Sequence, residues 1–171
     1  AGWKYKGELP AEKKAVIISV PHTSNWDFFW GELAFLSQGI PAFILMKKEF
    51  FFFPLGMILR ALNVIPVDRG NKDSQLVGYL VTDYMLCDSV YLCITPEGSR
   101  KKRKKWKKGF LVIAKAAGVP VYLGRIDYKG KYCEVGPLFY PTEDVDADLA
   151  YIMSTYHDAN PKYPENFSNG N

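Results

Sequence analysis

The 171-residue chain lacks any apolar stretch long enough to cross a bilayer. The longest uncharged apolar run of its first half, residues 50–59, is ten residues interrupted by Pro54 and Gly56, whereas a span needs about 20. That excludes a transmembrane helix and leaves contact with a membrane surface open. Cysteine is also scarce: Cys87, Cys93 and Cys133 are odd in number, and no pair has the spacing of a zinc site or a redox motif. They read as reduced structural thiols of a cytoplasmic protein. There are two histidines and no Gly-x-Ser-x-Gly elbow for a serine nucleophile. No internal repeat is visible, and nothing in the chain reads as a signal peptide.

Positive charge is abundant in one place only. Arg100, Lys101, Lys102, Arg103, Lys104, Lys105, Lys107 and Lys108 are eight of the 22 basic residues, leaving 14 basic against 18 acidic residues elsewhere. The net charge of +4 is therefore local, and it asks for an anionic partner.

The length and the 48% hydrophobic content suit one domain, assigned to residues 1–160, with a Pro- and Asn-rich tail at 161–171 that reads as loosely held. Apolar runs at 15–20, 42–46, 64–67, 90–94 and 119–123 read as strands. Helical spacing at 26–37, about 74–87 and 109–117 alternates with them, and 47–60 reads as two short helical pieces broken near Pro54. Such alternation predicts an α/β fold with a largely parallel sheet covered by helices. A hairpin from 125–128 and 131–135 turned at Gly130, then a helix at 145–157, closes the chain. A weak alternation at 3–9 reads as a short edge strand.

The chemistry gathers at strand exits. His22 leaves the first confident strand, and Asp27 follows five residues later in the first turn of a helix that Ser24 or Asn25 can cap. An imidazole held on one nitrogen by a carboxylate offers the other as a general base. The strand at 64–67 delivers Arg69, and that at 90–94 delivers Glu97, Gly98, Ser99 and Arg100. In a parallel sheet these corners share one edge, where a base, two guanidiniums and a glycine-opened loop suit activation of a hydroxyl on an anionic molecule. Ser24 is better employed as a cap than as a nucleophile. His157 reads as a surface residue, and Tyr128, Tyr132 and Tyr140 as packing around the hairpin.

The order His-x-x-x-x-Asp at 22–27, a strand ending in Arg69, Pro96-Glu97-Gly98-Ser99-Arg100 and a later Val119-Pro120-Val121 resembles the four blocks of the glycerolipid acyltransferase family, which includes the 1-acylglycerol-3-phosphate acyltransferases. The resemblance spans roughly residues 15–125. It implies acyl transfer from acyl-CoA or acyl carrier protein to a lysolipid hydroxyl, with no cofactor beyond that co-substrate and no metal. It further implies that His22 removes the hydroxyl proton, Asp27 orients His22, Arg69 holds the acceptor's phosphate, and Glu97 with Gly98 shapes the acceptor site. The nearest alternative acceptor is a lyso-aminolipid. From another class, the chain could be a non-catalytic module binding anionic lipid or nucleic acid through its basic run.

Two further segments read as contacts. Four consecutive phenylalanines cannot all face one core from one helix, so Phe50, Phe51 and Phe52, with Met57 and Ile58, are expected to meet an acyl chain or a membrane. Lys101, Lys102, Arg103, Lys104 and Lys105 with Trp106 are expected to meet anionic lipid or the donor, since tryptophan favours the headgroup zone. Together these place the protein as a peripheral, monotopic one on the cytoplasmic face of a membrane.

Overall fold

The computed structural model describes residues 2–8, 10–68 and 74–169. In chain order the elements are β1 (Lys4–Lys6), β2 (Lys14–Val20), α1 (Asn25–Gln38), β3 (Ala42–Lys47), α2 (Leu55–Ala61), β4 (Val64–Val67), α3 (Ser74–Leu86) and β5 (Val90–Ile94). They continue with α4 (Gly109–Ala117), β6 (Val121–Asp127), β7 (Tyr132–Glu134), β8 (Leu138–Phe139) and α5 (Val145–Ser154). The strands form a single sheet in the order β1-β7-β6-β2-β5-β3-β4, with β8 pairing β6. Among the described residues only the β6–β7 and β6–β8 pairs are antiparallel, so this is the expected α/β architecture with a largely parallel sheet.

Period-two alternation sorts the core into two layers. Val16, Ile18 and Val20 share one cluster with Leu80 and Tyr84 of α3, Phe110 and Leu111 of α4, and Ile152 of α5. Their alternates Ala15 and Ile17 pack with Phe35 of α1. β2 is thus buried on both faces, as a central parallel strand must be, and its carboxyl end lies at the middle of the sheet edge. Among the described residues no helix is long and apolar enough to cross a membrane.

Three expectations are corrected. The strand expected at 119–123 and the one at 125–128 are one strand, β6. Gly124 does not interrupt it; a Cβ there would come within 2.4 Å of the Ile18 carbonyl oxygen, so glycine permits the close approach of β6 to β2. The last helix ends at Ser154 rather than 157, passing into turns. The segment beyond residue 160, expected to be loose, packs back on the domain through residue 169: Tyr163 N–H donates to Thr23 Oγ1 at 3.3 Å, and Phe167 lies against the main core. Backbone polar groups seat it where composition alone suggested a free tail.

Candidate active site

β2 ends at Val20, and Pro21 then turns the chain so that His22 stands at the carboxyl edge of the sheet, its side chain 21% exposed. Ser24 caps α1, its Oγ accepting from Trp26 N–H at 3.1 Å. Asp27 completes the capping box from the third helical position: its Oδ2 accepts from Thr23 N–H and Ser24 N–H, each at 2.7 Å. The same oxygen lies 3.4 Å from His22 Nδ1. That is long for a hydrogen bond. Asp27 therefore does two things at once. It starts the helix, and the helix start fixes it against the imidazole.

Its remaining oxygen has a partner too. Tyr128, one residue past β6, donates its hydroxyl to Asp27 Oδ1 at 2.5 Å. From the sequence, Tyr128 reads as packing alone. No local pattern could have flagged it, because the contact spans 101 positions and depends on β6 lying beside β2.

Glu97, three residues past β5, is buried. Its Oε2 accepts the His22 N–H at 2.5 Å, while Oε1 has no hydrogen-bond partner. Burial, reinforced by the charge of Asp27, pushes its carboxyl up to about 8 against the His22 hydrogen bond that pulls it down. Glu97 is thus mostly protonated near neutral pH. Glu32, on the sheet side of α1, is likewise pushed up to about 7 by burial. Both acids keep a proton in the folded state that the unfolded chain, at about 4.5, gives up. Stability is expected to fall as pH rises from about 4.5 toward 8. Glu97→Gln should flatten that slope in urea titrations across the range, and an unchanged slope would contradict a neutral Glu97.

The rest of the expected site divides. Arg100 reaches the start of α1, its guanidinium donating to Asn25 Oδ1. Gly98 has φ +64°, and a Cβ there would meet the Lys107 side chain at 2.8 Å. Lys107 N–H closes the loop onto Pro96 O at 2.8 Å, and Ser99 Oγ accepts from Lys101 N–H. Glu97, Gly98, Ser99 and Arg100 are therefore one short turn at the histidine's edge. Arg69 lies outside the described residues. Lys48 and Asp68, at the carboxyl ends of β3 and β4, form an ion pair on that edge.

Of the apolar contact group, Phe52, Met57 and Ile58 are exposed, and so is Phe53 at 82%. Phe50 and Phe51 are partly buried. Lys101, Lys102, Arg103, Lys104 and Lys105 are exposed. Trp106 is not, and its expected headgroup contact is corrected. It is 4% exposed, packed against Tyr156 and Phe167, with its indole N–H donating to Ser168 O at 2.9 Å. One large apolar ring amid eight cations turns inward because the core beneath it can take it. Cys93 and Cys133 are buried, and burial holds each thiol up to about 12, so neither is a nucleophile. His157 is exposed, as expected. Among the described residues no group of three or more His, Cys, Asp or Glu could hold a metal ion.

The imidazole backed by a carboxylate and the glycine-opened acidic turn lie at the carboxyl edge of a largely parallel sheet, where open α/β folds place their ligand crevices. The acyltransferase family model matches residues 4–123, and the chain belongs to that family. No curated protein and no solved structure matches it. The protein is an acyltransferase.

Proposed function

We propose that the protein moves a fatty acyl group from a thioester of CoA or acyl carrier protein to the hydroxyl of a lysophospholipid, with 1-acylglycerol-3-phosphate the preferred acceptor. The observation that carries this reading is the His22–Asp27 corner, an imidazole whose Nδ1 faces a carboxylate fixed by three donors. Asp27 keeps the proton on Nδ1, leaving Nε2 as the base. Nε2 takes the proton of the acceptor hydroxyl as its oxygen bonds to the thioester carbonyl carbon. The C–S bond then breaks, and the imidazolium returns the proton to the departing thiolate. Arg69 holds the acceptor's phosphate, and Glu97, Gly98, Ser99 and Arg100 line its seat.

A peripheral membrane position at the cytoplasmic face fits this substrate. The steps from β2 to β3 and from β3 to β4 run the same way across the sheet, so right-handed crossovers put α1 and α2 on one face. The outer side of α1 exposes Trp26, Phe29, Leu33 and Leu36, and the hairpin before and within α2 exposes Phe52, Phe53, Met57 and Ile58. Two apolar ridges on one side of the site could meet lipid together. The cationic loop from Lys101 to Lys105 leads into α4, whose core lies on the other face, so it flanks the site and meets an anionic headgroup or the donor's acidic groups.

A panel of lysolipids assayed with both donors tests the acceptor. Lysophosphatidate should give the highest kcat/KM, and preference for a lyso-aminolipid would overturn the assignment. Arg69→Ala should raise the acceptor's KM by about tenfold or more while the donor's stays put, since a phosphate loses its bidentate partner. A change confined to the donor's KM would refute the role of Arg69.

A further inference from the structure

We infer that Tyr128 is a positioning residue for the acyl-transfer step, its hydroxyl fixing the Asp27 carboxylate that in turn orients His22. The inference rests on His22 and Asp27 acting as proposed above, and it adds a residue beyond the segment that the family model matches.

The carboxylate's two oxygens are held differently. Oδ2 is taken by Thr23 N–H and Ser24 N–H, backbone groups of the helix cap that any capping carboxylate would meet. Oδ1 is held from another strand by Tyr128 Oη at 2.5 Å. Without that bond, Oδ1 loses its partner and the carboxyl group is free to turn about the anchored Oδ2, the oxygen that faces His22 Nδ1 at 3.4 Å, so the angle it presents to the imidazole is no longer fixed.

Tyr128 is itself braced from two sides. Its ring meets Trp3 edge-on at 5.0 Å, and Trp3 stacks on Trp30 of α1 at 4.6 Å. Its backbone N–H donates to Asn160 O at 2.9 Å, and Asn160 Nδ2 donates to Asp127 Oδ2 at 2.7 Å. These contacts hold the ring and its backbone, and so fix where the hydroxyl meets Oδ1. Burial first, then its bond to the Asp27 charge, pushes the Tyr128 phenol well above the usual tyrosine range, so it remains a donor wherever the enzyme would work. Among the described residues, the charged Arg100 reaches this corner from the turn after β5, and the titratable groups facing it from other elements are Glu97 after β5 and Cys133 on β7. Burial keeps Glu97 mostly protonated and Cys133 protonated near neutral pH.

Tyr128→Phe keeps the ring and removes the hydroxyl. The expected result is a fall in kcat of about tenfold with little change in either KM, as for loss of one hydrogen bond to a charged group. Losing that donor leaves more of Asp27's charge facing the imidazole, so the acid limb of the kcat/KM profile should move to higher pH. The effect should also vanish in the Asp27→Asn background, because Tyr128 acts through Asp27. Unchanged kcat, or an equal loss in both backgrounds with an unmoved acid limb, would overturn the inference. His22→Ala is measured beside it. If that variant retains full activity, the base assignment fails and this inference with it; if it is inactive while Tyr128→Phe matches the wild type, only the role of Tyr128 fails.

Discussion

His22→Ala is expected to lower the acyl-transfer rate by roughly 10²- to 10⁴-fold, the range for loss of a positioned general base. The fold should survive, because the His22 side chain is 21% exposed and lies outside both core clusters. Its backbone N–H, which serves Glu97, remains in the variant. Circular dichroism and a melting curve close to wild type, alongside lost turnover, would be the expected pair of readings. A variant that keeps half of normal activity would remove His22 from the mechanism. Asp27 needs a gentler probe. Asp27→Ala would strand Thr23 N–H, Ser24 N–H and the Tyr128 hydroxyl, and a buried donor left unpaired costs about 1–3 kcal/mol. That variant confounds stability with catalysis. Asp27→Asn keeps the shape and an acceptor oxygen while removing the charge, and it should lose turnover with a smaller loss of stability.

Trp106→Ala is expected to destabilise the fold by about 3–5 kcal/mol, the cost of deleting a buried aromatic side chain. The ring fills a seat between Tyr156 and Phe167, and its N–H is the partner of Ser168 O. Removing it opens a void and weakens the hold on the 161–169 segment. Against a typical total of about 5–15 kcal/mol, this is a large fraction. Urea denaturation should show a lower midpoint. If Trp106 instead met lipid headgroups, the substitution would weaken vesicle binding and leave the midpoint within about 0.5 kcal/mol.

Much of this architecture is legible in the chain because local signals agree. The apolar runs at 64–67 and 90–94 and the helical spacing at 109–117 match β4, β5 and α4 residue for residue. Each is bounded by polar or breaker residues that fix its ends. The start of α1 is legible for the same reason, since a serine cap and an acidic third position are sequence-local. What fails depends on neighbours distant in sequence. Gly124 reads as a break until the Ile18 carbonyl is seen beside it. Trp106 reads as amphipathic from its cationic flanks, but Tyr156 and Phe167 decide its burial. Tyr128 carries no local mark of its tie to Asp27, and the neutral state of Glu97 is a property of burial. The residues proposed to carry chemistry are thus visible one by one, while the bonds that would tune them come from strand order.

The central claim, acyl transfer to a lysolipid hydroxyl through His22, is tested most directly by following thiol release from acyl-CoA with and without lysophosphatidate, with the lipid product weighed by mass spectrometry. The account predicts thiol release that requires the acceptor, one diacyl phospholipid formed per thiol, and neither from His22→Ala. Thiol released without acceptor, or equal product from His22→Ala, would contradict it.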